Sequence, residues 1–442
     1  MQNIRPHDNM TITESCILES GTYVFPHGIS IQGEHIKIIA DGVHIVGTGH
    51  EGTGVRIRNS KNVTLSGISC STYYHGIYAE RCEHLTIDAV TIRDTYEINN
   101  IETFLHLWQD IKEAYGGGII GHDVRHGTIK NCDVQHQLNG IQLYNCQHLT
   151  IENNNGSFNS GWGVYLNDCS DNIVRDNQLD FCNRLFRRPE NGSTRAEADA
   201  AGIVMVQGSS RNKLLKNSCI GGGDGIFITG YQHPNVIRSC SDNVIEDNDC
   251  RLSPNNAIES TFCKGNIFRR NDVSRSNYGL WMGYSWENIV EGNHVEFNRW
   301  AGIAIEHGHD FTIKDNTIQN NHGDGIRLWL RGKRGDVLLQ YWEGYEATYN
   351  FTIENNIFKH NHIGFNAFTP AQLADQQCHG FHLVGNTFDD NRIGASFEQV
   401  GDCSAINNHF LNNVQEALRL VNHPDVTLDN NQFDGNSRDI VR

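Results

Sequence analysis

No apolar run in the chain approaches the ~18 residues of a membrane-spanning helix. The first residues, Met1-Gln2-Asn3-Ile4-Arg5-Pro6-His7-Asp8, lack the apolar h-region of a secretory signal, so a cytoplasmic location is expected. Basic residues are in deficit: 35 Lys and Arg against 52 Asp and Glu leave a net charge of −17. Nucleic-acid binding draws on a basic stripe that releases counterions, and an anionic membrane repels an acidic surface. Neither is an expected partner. Thirteen cysteines occur without a Cys-x-x-Cys pair of zinc spacing. Cys82, Cys132, Cys146, Cys169 and Cys219 precede short apolar runs, which reads as reduced, buried thiols. The hydrophobic share is 38%, enough for a thin core lined by one or two apolar residues per strand.

What the chain does have is a repeat. Gly140-Ile141-Gln142-Leu143 returns as Gly163-Val164-Tyr165-Leu166, Gly202-Ile203-Val204-Met205 and Gly225-Ile226-Phe227-Ile228. It continues as Gly279-Leu280-Trp281-Met282, Gly302-Ile303-Ala304-Ile305 and Gly325-Ile326-Arg327-Leu328. A period of roughly 22–23 residues marks a solenoid. Length alone would suggest two or three domains, but stacked repeats grow as one. Between the glycine strands lie runs such as Ser241-Asp242-Asn243-Val244-Ile245-Glu246-Asp247-Asn248, alternating apolar residues broken by Asn, Asp and Gly. That is strand-and-turn chemistry. Asn tolerates left-handed turns, and at one place in every coil its amides can form a ladder.

The expected fold is all-β: a single-domain right-handed parallel β-helix of about fourteen coils. Residues 1–50 read as an N-terminal cap with an atypical first coil, Val24 to Val46, and 51–442 as the solenoid. Insertions fall near 96–117, 184–200, 231–240 and 331–348, with a smaller one near 370–377. They flank one strand column and should wall a groove over it. Ile101–Tyr115 reads as a short amphipathic helix suited to a lid or a dimer contact, so a homo-oligomer is compatible with the sequence.

In Gly-Ile-x-Leu the Ile and Leu face inward, so x and the residue two further on face outward. Up the column, x is Tyr165, Val204, Phe227, Glu259, Trp281, Ala304 and Arg327. The companion column is Asn167, Val206, Thr229, Thr261, Gly283, Glu306 and Trp329. Glu259 falls between Phe227 and Trp281, an apolar setting that suits a general acid. Glu306 lies two coils on and one position across, with a Cβ separation of roughly 11–12 Å. Leaning side chains would bring the carboxyls into the inverting range of about 6.5–9.5 Å. Asp224 occupies a corner rich in glycine, Gly221-Gly222-Gly223-Asp224-Gly225, where the backbone can approach a ligand; Asp324 repeats that corner. Asp199, closing the 184–200 insertion, reaches toward the same space. Trp281, Trp329, Phe227 and Tyr165 form an aromatic floor for sugar rings, and Arg327 and His307 are further substrate contacts. The alternative readings are a Glu306–Arg327 ion pair, turn-capping aspartates and rings that only stiffen the stack. Alternation along Glu306-His307-Gly308-His309-Asp310 sends these side chains apart, so no metal site is expected there.

The repeat resembles the right-handed parallel β-helix of the pectate-lyase-like superfamily, in its carbohydrate-binding and sugar-hydrolase repeat branch, over nearly the whole chain. The resemblance implies three parallel sheets and a carbohydrate ligand. Its catalytic motifs do not carry over. The polygalacturonase set (Asn-Thr-Asp, Asp-Asp, Gly-His-Gly, Arg-Ile-Lys) is absent, as are the epimerase Tyr-Gly-Phe-Asp-Pro-His and the pectate-lyase Arg-x-Pro-x-x-Arg. Tyr278-Gly279-Leu280-Trp281 is only loosely similar to the epimerase motif. Three functions therefore stand as expectations. The first is a glycoside hydrolase on an oligosaccharide or polysaccharide, using Glu259, Glu306 and Asp224 without a cofactor. The second is a uronate lyase or epimerase, for which Ca2+ would be the cofactor. The third is a non-catalytic glycan-binding or structural β-helix.

Overall fold

The computed structural model describes all residues except 233–235, 333–346 and 423. The chain is a right-handed parallel β-helix. Its contacts divide it into two compact units, Met1–Phe227 and Ile228–Arg442.

In the first unit the parallel register starts at Gln2, which pairs with Cys16, and Cys16 in turn pairs with Ile38. One column runs Ile141–Tyr144, Val164–Asn167 and Ala201–Val206; a second runs Gln147–Glu152, Ile173–Arg175 and Lys213–Leu215. A third, shorter column holds Gly21–Val24, Val43–Val46, Ser69–Ser71 and Thr91–Arg93. The second unit has three columns as well. The first runs Asn256–Thr261, Tyr278–Trp281, Ile303–Glu306, Asp324–Trp329, Ile363–Phe368, Ile393–Glu398 and Glu416–Val421.

The corners explain the asparagines and aspartates of the repeat. Asn145, Asp168, Asp176, Asp247, Asp315, Asn355 and Asn407 all sit at positive φ, the left-handed geometry their short polar side chains tolerate. Buried asparagines form the ladder. Asn248 Nδ2 donates to Asn271 Oδ1 (3.0 Å), and Asn271, Asn293 and Asn316 continue it to Asn356. Each amide also serves a backbone carbonyl, as Asn316 Nδ2 does for Val290 (3.0 Å). The interior repeats in the same way. Phe358, Phe388, Phe410 and Phe433 stack with centroids 4.7, 4.8 and 5.2 Å apart, close to the spacing of adjacent strands. All thirteen cysteines are buried.

The insertions differ from their sequence reading in one respect. Ile101–Tyr115 is not an amphipathic helix; it contains only a three-residue 3-10 turn, Ile111–Glu113. Leu105 and Leu107 are 1% and 2% exposed, and this two-residue alternation buries an extended chain, whereas a helix would splay the two apart. The 184–200 insertion is an antiparallel hairpin, Leu185–Arg187 with Thr194–Ala196. Tyr231–Gln232 and Val236–Ile237 form another around residues outside the described set, and 370–377 holds the 3-10 segment Ala371–Gln376. Of the fourth insertion, 331–348, residues 333–346 lie outside the described residues.

Candidate functional site

In the first unit the expected groove floor is covered. The segment around Leu105 and Leu107 packs with Tyr144, Trp162, Tyr165, Val204, Val206 and Phe227 in one buried cluster. Tyr165 is fully buried and donates its hydroxyl to Leu107 O (2.6 Å); Phe227 is 6% exposed. Both were expected on an open aromatic floor, and both are core residues under the insertion. Asp224 opens the strand Asp224–Thr229 and is also sealed from solvent. Its glycine corner has an internal use. A Cβ on Gly223 would meet Glu197 O at 1.9 Å and Ala200 O at 2.5 Å, so the bare backbone admits the 184–200 segment rather than a ligand. Asp199 is half-buried, and its carbonyl accepts Trp162 Nε1 (2.9 Å).

The covering segments are tied together by a buried ion pair that the sequence did not suggest. Glu197 has no exposure, takes the Leu105 N–H at Oε1 (2.5 Å) and lies 3.5 Å from Arg184 Nε through Oε2. Burial pushes its carboxyl up to about 7, although the Leu105 N–H and the Arg184 and Arg195 charges oppose that. Arg184 also donates to Asn100 O (2.8 Å), so this arginine of the hairpin faces inward, not toward a sugar.

In the second unit the expected column forms. Glu259 pairs with Trp281, Trp281 with Ala304, Ala304 with Arg327, and Glu306 with Trp329. Glu259 is half-buried and held from its own strand by Asn256 Nδ2 (2.6 Å). Glu306 is 4% exposed and takes the Tyr284 hydroxyl at Oε1 (3.0 Å). Tyr284 belongs to the preceding coil, at the corner that follows Gly283. Gly283 opens the path. A Cβ there would lie 3.8 Å from Glu306 Cγ and 3.7 Å from Trp281 Nε1, so a longer side chain would displace both. Two coils along the axis and two residues along the strand put the Glu259 and Glu306 Cβ atoms roughly 11–12 Å apart.

The corner beside Glu306 is a stack of rings. Phe262, Tyr284 and His307 all take positive φ; Phe262 and Tyr284 are 4.7 Å apart and nearly parallel, and His307 follows at 5.3 Å. His307 is fully buried, and its Nε2 accepts the Arg331 N–H (3.0 Å). It was expected as a substrate contact; here it is a rung that holds Tyr284 in place. Arg327 is exposed and forms no ion pair with Glu306 among the described residues. Its guanidinium lies 5.1 Å from the centroids of both Trp329 and Phe368. Trp329 is also edge-to-face with Trp281 at 5.7 Å. Trp281 and Trp329, both half-buried, thus give a two-ring surface beside the carboxylates.

Next to it is a cavity of about 290 Å3 lined by Tyr278, Arg299, Trp300, Ala301, His322, Gly323, Asp324, Arg327 and His362. Gly279 N–H donates to Ala301 O and Gly302 N–H to Asp324 O, so Ala301 sits between the coils of Tyr278 and Asp324. The small side chain of Ala301 leaves the space; the coils on either side wall it. Asp324 is 6% exposed, accepts Asn366 Nδ2 (2.9 Å), and is raised above the usual carboxylate range by its burial. Sequence reasoning saw Asp324 only as a repeated corner. The residue before each repeat glycine (Tyr278, Ala301, Asp324) was the signal that would have found the cavity. Among the described residues, no group of His, Cys, Asp and Glu is arranged to hold a metal ion.

The profile of the family described as right handed beta helix region matches residues 117–249, 204–339 and 249–377, and the chain belongs to that family. Among solved structures the chain is similar to the periplasmic alginate epimerase AlgG: 13% identity, TM-score 0.45, covering 94% of this chain and 78% of that one. It is similar to the A-module of the Azotobacter vinelandii mannuronan C-5 epimerase AlgE6: 13% identity, TM-score 0.35, covering 95% and 90%. It is also similar to the Streptococcus pneumoniae surface protein and adhesin PfbA: 10% identity, TM-score 0.34, covering 97% and 91%. No curated protein sequence matches. At these identities the likeness is one of fold.

Proposed function

We propose that the protein is a glycoside hydrolase that cleaves an oligosaccharide lying across the strands Asn256–Thr261 to Asp324–Trp329, with inversion at the anomeric carbon. The observation that carries this reading is the pair Glu259 and Glu306 on one face, two coils apart, with Trp281 and Gly283 on the coil between them. Side chains that close this gap to about 6.5–9.5 Å on a bound sugar leave room for a water between the sugar and one carboxylate, as inversion requires. Glu306, holding the Tyr284 hydroxyl, is the base that takes a proton from that water. Glu259 gives its proton to the leaving glycosidic oxygen. Trp281 and Trp329 pack against the apolar faces of the sugar rings.

The test is product analysis on an oligosaccharide panel, with wild type beside Glu259→Gln and Glu306→Gln. Products that together gain one water, with the new reducing end in the inverted configuration, are expected. Each variant should lose at least about 10²-fold in kcat. Water-gaining turnover that survives both substitutions would sink the assignment. A second reading, a uronate lyase or epimerase, draws support from Arg327, a cation beside the tryptophans that could neutralise a sugar carboxylate. Calcium-dependent turnover that yields an unsaturated or epimerised product would select it.

A further inference from the structure

The cavity beside the carboxylate pair has a charge pattern that the hydrolase reading does not use. Arg299 and Arg327 both border it, and among the described residues neither forms a direct ion pair, although the Arg327 charge reaches Asp324 in the same lining. His362 adds a relay: Arg392 Nη1 lies 2.9 Å from His362 Nε2, and His362 Nδ1 is 3.9 Å from Asp324 Oδ1. An imidazole that accepts from an arginine at Nε2 carries its own proton on Nδ1, so it presents an N–H toward the cavity acid. His322 and the exposed ring of Trp300 complete the rim. The one acid in the lining is Asp324, which is buried and bonded to Asn366. The chain as a whole carries a net charge of −17, so two arginines bordering one cavity with a single, buried acid stand against the background of the molecule.

We infer that this cavity is a subsite for an acidic sugar residue, one whose carboxylate or sulfate group lies between Arg299 and Arg327 while its ring packs on Trp300 and Tyr278. The volume suits one monosaccharide unit. Arginine forks match the planar oxygens of a carboxylate and those of a sulfate, and both hold when partly desolvated. The inference extends the saccharide reading of this face but does not need the cleavage step. Arg327 then joins the subsite to the tryptophan pair, so that an acidic residue here is followed along the chain by rings over Trp281 and Trp329.

The experiment is calorimetric binding to the double variant Glu259→Gln, Glu306→Gln, which removes turnover from the measurement. The probes are a galacturonate tetramer, a mannuronate tetramer and a sulfated galactose tetramer, each beside its carboxyl-reduced or desulfated counterpart. At least one acidic tetramer is expected to bind about tenfold or more tightly than its neutral counterpart. Adding Arg299→Gln should remove that preference while leaving affinity for the neutral tetramer within about twofold, and adding Arg327→Gln should remove the preference as well. Which probe shows the preference identifies the group, carboxylate or sulfate. Equal binding of acidic and neutral tetramers overturns the subsite, as does a preference that survives both arginine substitutions or the absence of any binding. The hydrolase reading is judged separately, on wild-type turnover. Cleavage of neutral glycans without acidic preference leaves it standing and removes the subsite. Acidic preference with no cleavage of any panel member does the reverse.

Discussion

Replacing Tyr284 by Phe removes one atom from the structure, the hydroxyl that donates to Glu306 Oε1 at 3.0 Å. The ring stays between Phe262 at 4.7 Å and His307 at 5.3 Å, so the corner stack and its packing are retained. A hydrogen bond to a charged group contributes about 1.5–3 kcal/mol, more than a neutral one. If that bond fixes the Glu306 carboxylate, its loss lets the side chain relax away from the water it must activate. Converted at 1.36 kcal/mol per decade, the expected fall in kcat is about 10- to 100-fold. Because Tyr284 does not border the sugar surface, KM should move by less than about threefold. The assay is steady-state kinetics on whichever oligosaccharide the wild type cleaves, with thermal denaturation alongside. The midpoint should shift by only a few degrees, since one atom is lost and the stack remains. A kcat within twofold of wild type, in a protein where Glu306→Gln abolishes turnover, would refute the positioning argument.

Three further outcomes follow from the same structure. Gly283→Leu should cut turnover at least about tenfold, because its side chain must occupy the space 3.8 Å from Glu306 Cγ, while Gly283→Ala keeps most activity; equal activity in the two variants would show that the opening is unused. Burial raises Glu197 to about 7 in the folded protein, so between the ordinary glutamate value near 4.5 and about 7 the unfolded chain releases its proton while the folded one keeps it. Wild-type stability relative to Glu197→Gln should therefore fall by about 3 kcal/mol as pH rises through that window, read from urea denaturation at pH 4.5 and pH 8, and a pH-independent difference would refute the assignment. Asn316→Ala leaves the Asn293 N–H and the Val290 carbonyl without their side-chain partners and should cost about 3 kcal/mol, whereas the exposed corner substitution Asn355→Ala should cost less than about 1.

The repeat spacing, the inward Ile and Leu and the turn asparagines were enough to place Glu259, Trp281, Ala304 and Arg327 in one column, with Glu306 and Trp329 beside it. These relations are local in a solenoid: each coil rests on the next, so a register read from sequence becomes a register in space. What the sequence by itself determined was therefore the fold, the ladder and the face that carries the carboxylates. Only the tertiary structure decided which parts of that face are open. Tyr165 and Phe227 have the same repeat position as Trp281, yet they are buried because Leu105 and Leu107, from a segment with no repeat pattern, fold back over them. His307 turns from a substrate contact into a stacked rung, and the Glu306 carboxylate is held by a hydroxyl from the neighbouring coil. Insertions obey no period, so the contacts they make, and the side chains they seal, follow from packing between distant residues rather than from any pattern along the chain.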